Sequence, residues 1–140
     1  MSNLNAFLNP IKEENIKVVV SKRFVDDQGK PVEWEIRALS GEEDEALRKQ
    51  CTKKIQIPGR KGQYTNETDY NQYLGLLAAA CIVEPNLNNA ELQNAYGVMG
   101  ADTLLKKMLK PGEYAECLAK IQEINGFDLT MDDLVDQAKN

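Results

Sequence analysis

Residues 70–83 contain no charged side chain. The run reads Tyr-Asn-Gln-Tyr-Leu-Gly-Leu-Leu-Ala-Ala-Ala-Cys-Ile-Val, neutral or apolar at every position. A helix of that character around its whole circumference belongs in the middle of a bundle, covered on all sides by other elements. Its longest apolar stretch, 74–83, is about half of the ~20 residues that a membrane-spanning helix requires. The pattern therefore predicts a central core helix over 70–83. Glu84-Pro85 ends it, because the residue before a proline is pushed out of the α region. A chain of 140 residues has length for one domain around such a helix.

The surrounding helices are marked by their ends. In residues 109–127, Pro111 stands where a first helical residue would, its missing N–H costing nothing there. Tyr114, Cys117, Leu118, Ile121 and Ile124 recur at helical spacing, and Gly126 and Phe127 supply a C-terminal stop. Ser40-Gly41-Glu42-Glu43 reads as a capping box. Arg48, Lys49, Lys53 and Lys54 close that helix, so it is expected to reach about residue 54, with Ala46, Leu47 and Cys51 on its buried edge. Asn88 and Glu91 open a short helix stopped by Gly97. Asp102 opens another that turns Leu104, Leu105, Met108 and Leu109 inward. Thr130 and Asp133 cap a last one carrying Met131, Leu134 and Val135.

Two segments read as strands. Residues 16–25 are rich in β-branched side chains, and in 31–39 Val32, Trp34 and Ile36 alternate with Glu33, Glu35 and Arg37. The turn chemistry of Asp26-Asp27-Gln28-Gly29-Lys30 joins them. Residues 56–67, with Pro58-Gly59 and Gly62 and no periodicity, read as a long mobile loop. The expected fold is α+β and mainly α, an N-terminal β-hairpin packed on a small helical bundle. Residues 1–15 form an extension, and 16–140 a single domain with the hairpin in 16–39 and the bundle in 41–138.

Chemistry is conspicuous by its missing parts. The chain has no histidine, hence none of the commonest general base and metal ligand. No phosphate-binding glycine loop, nucleophile elbow or calcium loop is present. Asp26-Asp27 and Asp132-Asp133 are too sparse to cage a metal ion. Cys51, Cys81 and Cys117 form no C-x-x-C pair and fall on apolar stripes, as buried thiols of a reducing compartment do. No catalytic residue, metal or cofactor is expected, and the chain reads as no enzyme. A net charge of −5 disfavours nucleic acid and anionic membrane as partners. The basic group Lys53, Lys54, Arg60 and Lys61 with Tyr64 is the nearest approach to a nucleic-acid patch, and a solvated loop accounts for it. The first residues lack the basic and apolar regions of a secretory signal. The two ends each carry a short stripe, Leu4, Phe7 and Leu8 at one and Met131, Leu134 and Val135 at the other. Either these pack on their own domain or they dock a partner or a second copy.

Several blocks, in order, resemble one family. Ser21-Lys22-Arg23-Phe24-Val25-Asp26 with Gly29 and Pro31, Glu35-Ile36-Arg37-Ala38-Leu39-Ser40 with Glu43, and Lys49-Gln50-Cys51-Thr52-Lys53 are similar to the opening of the XkdN-like phage tail assembly chaperones. Cys81-Ile82-Val83-Glu84-Pro85-Asn86-Leu87 resembles that family's core helix ending at a proline. Pro111-Gly112-Glu113-Tyr114 through Ile124-Asn125-Gly126-Phe127 resembles its closing helix. The resemblance runs over residues 4 to 138. It implies a phage or prophage protein of the bacterial host cytoplasm that binds the tape measure protein, helps recruit tail tube subunits and is absent from the finished virion. Relatives made in two lengths by ribosomal frameshifting make the codons of Ala138-Lys139-Asn140 worth reading for a slippery run. A structural tail or head–tail component and a small regulatory protein-binding module are the competing readings.

Overall fold

The computed structural model describes residues 3–127. The chain runs through α1 (Leu4–Leu8), β1 (Ile16–Val18), β2 (Trp34–Ile36), α2 (Gly41–Gln50), β3 (Thr52–Gln56), β4 (Tyr64–Thr68), α3 (Tyr70–Cys81), β5 (Ile82–Glu84), α4 (Ala90–Ala95), α5 (Ala101–Met108) and α6 (Pro111–Ile124). The fold is α+β, with helices predominating over two small antiparallel sheets.

The uncharged run forms the central helix. α3 packs against α2, α5 and α6 and leads directly into β5. Tyr73, Gly75, Leu77, Ala78 and Cys81 are its buried residues, and they meet Leu104, Leu105 and Met108 of α5 and Cys117 and Ile121 of α6 in one core. Trp34 and Ile36 close that core from the sheet side, pointing inward while Glu35 between them turns out. The helix ends at Cys81, not Val83. The β-branched Ile82 and Val83 become strand instead, because β2 offers a ladder: Ile36 faces Ile82, and the Arg37 N–H donates to the Cys81 carbonyl at 2.8 Å. β2 is thus the middle of a three-stranded sheet ordered β1-β2-β5.

The predicted hairpin is present, with both strands shorter than the 16–25 and 31–39 that the sequence suggests, at Ile16–Val18 and Trp34–Ile36. Asp26 accepts hydrogen bonds from Gln28 and Lys30 through its Oδ1, and Gly29 takes φ +80°, a left-handed conformation natural to glycine. Regular pairing of the first strand stops at Val18. Beyond it Val20 and Ser21 are buried, and the Ser21 hydroxyl donates to Glu113 at 2.5 Å, which draws the chain off the ladder toward α6.

Two other expectations are corrected. α2 stops at Gln50, with buried Cys51 as its C-cap. Lys53 and Lys54 belong to β3, not to that helix. The segment read as a mobile loop over 56–67 is largely a second hairpin, with β3 and β4 paired from Thr52↔Thr68 to Gln56↔Tyr64. Gly59 and Gly62 supply positive φ at its tip. Smaller shifts concern caps. Asn89, not Asn88, accepts the Leu92 N–H at the start of α4, and Gly100, one residue before Ala101, is the N-cap of α5 while Asp102 sits in its first turn.

α6 has the bounds its sequence marks. The Glu113 carboxylate accepts the Lys110 N–H at 2.8 Å. At the other end Phe127 N–H reaches the Gln122 carbonyl and Gly126 N–H the Glu123 carbonyl, the two bonds of a Schellman stop. Asn125 then ties this terminus to the entry of α2. Its Oδ1 accepts the Leu39 N–H at 2.8 Å, and its Nδ2 donates to the Ile121 carbonyl at 2.7 Å. Asn125→Ala orphans the Leu39 donor and is expected to cost about 1–3 kcal/mol. Urea denaturation measures it, and Asn125→Asp should not restore stability, because it keeps the acceptor for Leu39 but sets a second carboxylate oxygen against the Ile121 carbonyl at the helix C-terminus.

Candidate partner-binding surface

The surface carries more apolar area at one end than the core requires. In α1, none of the five residues is buried. Leu4 is 59% exposed, Phe7 80%, Leu8 67% and the following Ile11 94%. The turn is held by its own polar groups, the Asn9 amide donating to the Asn5 side chain at 2.8 Å and to its carbonyl at 3.3 Å. So short a helix gains little from its own backbone. Residues 3–15 are exposed throughout, so Phe7, Leu8 and Ile11 are presented outward along one segment. Ile11 was not part of the sequence stripe, since Pro10 interrupts the helical spacing that would have found it. Met131, Leu134 and Val135, the second stripe, lie outside the described residues.

A second exposed feature has no counterpart in the sequence patterning. The strands of the β3–β4 hairpin are exposed on both faces, apart from half-buried Thr52 at the root, and Ile57 near the tip is half-buried. Lys53, Ile55 and Glu67 on one of its faces, with Tyr70 and Asn71 at the start of α3, border an open cleft of about 410 Å³. Tyr70 is exposed there, and Tyr64, on the opposite face of the hairpin by its register, is exposed as well.

The polar clusters are structural. Arg23 grips the Glu113 carboxylate through Nη2 at 2.5 Å and Nε at 3.3 Å and also donates to the Met108 carbonyl at 2.8 Å. The Arg23 bonds, the Ser21 hydroxyl and the Lys110 N–H together hold the Glu113 carboxyl at about 2. A carboxylate that acidic is a feeble base, so the Ser21 hydroxyl it accepts from is not activated as a nucleophile. It is a clamp between the segment after β1 and the start of α6. On α2, Asp44 accepts from Tyr73 and from Arg48 Nε at 3.0 Å, while the Arg48 guanidinium lies 4.3 Å over the Tyr73 ring. Burial, then the bond to Asp44, pushes the Tyr73 phenol up to about 12. Cys51, Cys81 and Cys117 are buried free thiols, and burial raises all three, Cys117 to about 12. Such thiols are poor nucleophiles. Among the described residues no acidic, cysteine or histidine cluster could hold a metal ion, and no helix is long and apolar enough to cross a membrane.

Glu113 carries a pH prediction. Its folded pKa lies below the ordinary 4.5, so the unfolded chain binds more protons in the window between, and stability rises with pH across it. The clamp is fully effective above about pH 4.5 and is lost as pH falls through about 2. Thermal melts from pH 7 to 2 should show that acid decline, and Glu113→Gln should flatten it. An identical acid limb in that variant would remove Glu113 from the account.

Comparison with known proteins gives one consistent answer. The family described as phage XkdN-like tail assembly chaperone proteins matches residues 4–139. YqbN of Bacillus subtilis strain 168, described as uncharacterized, is 37% identical over 131 residues, spanning 93% of this chain and 87% of YqbN. XkdN of the phage-like element PBSX, from the same strain, is 33% identical over 131 residues with the same shares. A crystal structure of YqbN matches the present fold with a TM-score of 0.75 at 30% identity, covering 91% of this chain and 99% of that one.

Proposed function

This chain belongs to the XkdN-like phage tail assembly chaperone family, and on that premise we propose that it binds the tape measure protein and assists tail tube assembly around it. The single observation that supports this reading is the outward apolar segment of Phe7, Leu8 and Ile11. A tape measure protein is a long chain whose apolar helical faces need cover until tube subunits enclose them. An exposed apolar cluster on a small domain provides reversible cover of that kind. Leu4 completes the cluster, and Met131, Leu134 and Val135 are the candidate second contact. The role needs no catalysis, which accords with the weakly basic Glu113, the shielded thiols and the lack of histidine. It places the protein in the bacterial host cytoplasm during assembly and outside the finished particle, with the tail tube protein as a further partner.

Co-expression with the tape measure protein of the same phage or prophage tests this. The soluble fraction of the tape measure protein is expected to rise, and the two should co-purify. Two folded, soluble proteins that ignore each other would overturn the proposal. So would finding the chain by mass spectrometry in purified tails, which would make it a structural component.

A further inference from the structure

The β3–β4 hairpin stands off the domain as an arm, and the phase of its ladder determines which backbone groups face outward. Asp69 N–H donates to the Cys51 carbonyl at 2.8 Å at its root, and Ile57 N–H to the Gln63 carbonyl at 2.9 Å near its tip. Bonded and non-bonded pairs alternate in an antiparallel ladder. Lys53/Glu67 and Ile55/Thr65 are therefore the bonded pairs between. Tyr64, Asn66 and Thr68 turn their N–H and C=O groups to the open side of β4, and among the described residues no hydrogen bond reaches those groups. Thr52, Lys54 and Gln56 do the same on the open side of β3.

We propose that β4 pairs antiparallel with β4 of a second copy of this chain, across a two-fold axis at Asn66, joining two arms into a four-stranded sheet. The outward residues are symmetric about Asn66, so one register uses them all. Asn66 faces Asn66 of the second copy, and Tyr64 faces its Thr68. Thr65 faces Glu67 of the second copy, so no like charges meet. The other edge lacks this property. The same operation on β3 sets Lys54 directly against Lys54, a repulsive arrangement, and lysines are a common means of blunting an edge strand.

Charge favours the same geometry. The arm carries Lys53, Lys54, Arg60 and Lys61 against Glu67 alone, on a chain of net charge −5, so the remainder is more acidic than the whole. Antiparallel pairing brings the basic tip of each arm to the root of the other, beside Asp69 and the acidic body. It also sets the two bodies at opposite ends of the shared sheet, clear of each other. An isolated hairpin is marginal in water, and doubling it gives each β4 a neighbour on both sides.

Light scattering across a concentration series of the full chain should show a reversible dimer of twice 15.7 kDa that dissociates on dilution. Asn66→Pro removes an outward donor without breaking a bond inside the hairpin, and Asn66→Lys opposes two lysines. Both variants should remain monomeric with the wild-type melting temperature. The three native thiols are buried, so Asn66→Cys adds one accessible sulfur. Bonded partners lie about 5.5 Å apart at Cα, within disulfide reach, and air oxidation should cross-link this variant and not Lys54→Cys. A monomer at every concentration would overturn the proposal. So would a dimer that survives Asn66→Pro, or equal cross-linking from Lys54→Cys. Tape measure capture by a monomer that is lost in Asn66→Pro would also overturn it, by making the edge's occupant that partner.

Discussion

Leu77→Asp is expected to leave the protein unfolded at room temperature. Leu77 lies in the middle of α3 and is 1% exposed, in a core whose neighbours are apolar. A carboxylate there has no cation to meet, and an unpaired buried charge is among the few causes of losses above about 4 kcal/mol. Domain stabilities are roughly 5–15 kcal/mol, so one such loss consumes most of what is available. The isosteric comparison is Leu77→Met, which keeps volume and polarity and should cost under about 1.5 kcal/mol. Circular dichroism and urea titration of the pair separate charge from shape. A cooperative transition for Leu77→Asp near the wild-type midpoint would mean that α3 is not the centre of the core.

That centre was legible because its signal is compositional. A helix without charge has one place to go, and residues 73–81 went there, while Tyr70, Asn71 and Gln72 in the first turn stay exposed. The bounds of α6 were legible for another reason. Pro111 at the start and Gly126 with Phe127 at the end are local devices, complete within the segment that carries them. β5 was not legible, since Ile82 and Val83 extend an apolar run that fits helix equally well. Only the open side of β2 decides for strand, and that lies far away in the chain. The β3–β4 arm failed the pattern test for the opposite reason. Alternation of apolar and polar residues marks a strand with one buried face, and this hairpin buries neither. Its β-branched Thr52, Ile55, Thr65 and Thr68 were the available cue, and Pro58-Gly59 with Gly62 outweighed them. Of the surface, the sequence displayed the stripe of Leu4, Phe7 and Leu8 but not its environment. An apolar stripe looks the same whether a core or solvent faces it, and that difference resides in tertiary structure.

Phe7→Gln with Leu8→Gln is expected to separate binding from stability. Both side chains are mostly exposed on a helix with no buried residue, so their removal forfeits little folding energy. Surface substitutions of this kind usually stay within about 0.5 kcal/mol. For a partner the same residues are the largest apolar contacts on offer at that end, and truncating a central aromatic anchor typically costs an interface 2 kcal/mol or more. Two anchors together should therefore weaken tape measure capture by well over tenfold, since about 1.4 kcal/mol is a factor of ten. Gln preserves helix propensity better than Ser or Gly would, which keeps α1 itself out of the comparison. Pulldown and a melting curve on the same preparation decide the matter. Capture lost with melting unchanged assigns the segment to the partner. A large fall in melting temperature would show that it stabilises its own domain, and undiminished capture by a stable variant would move the contact elsewhere on the chain.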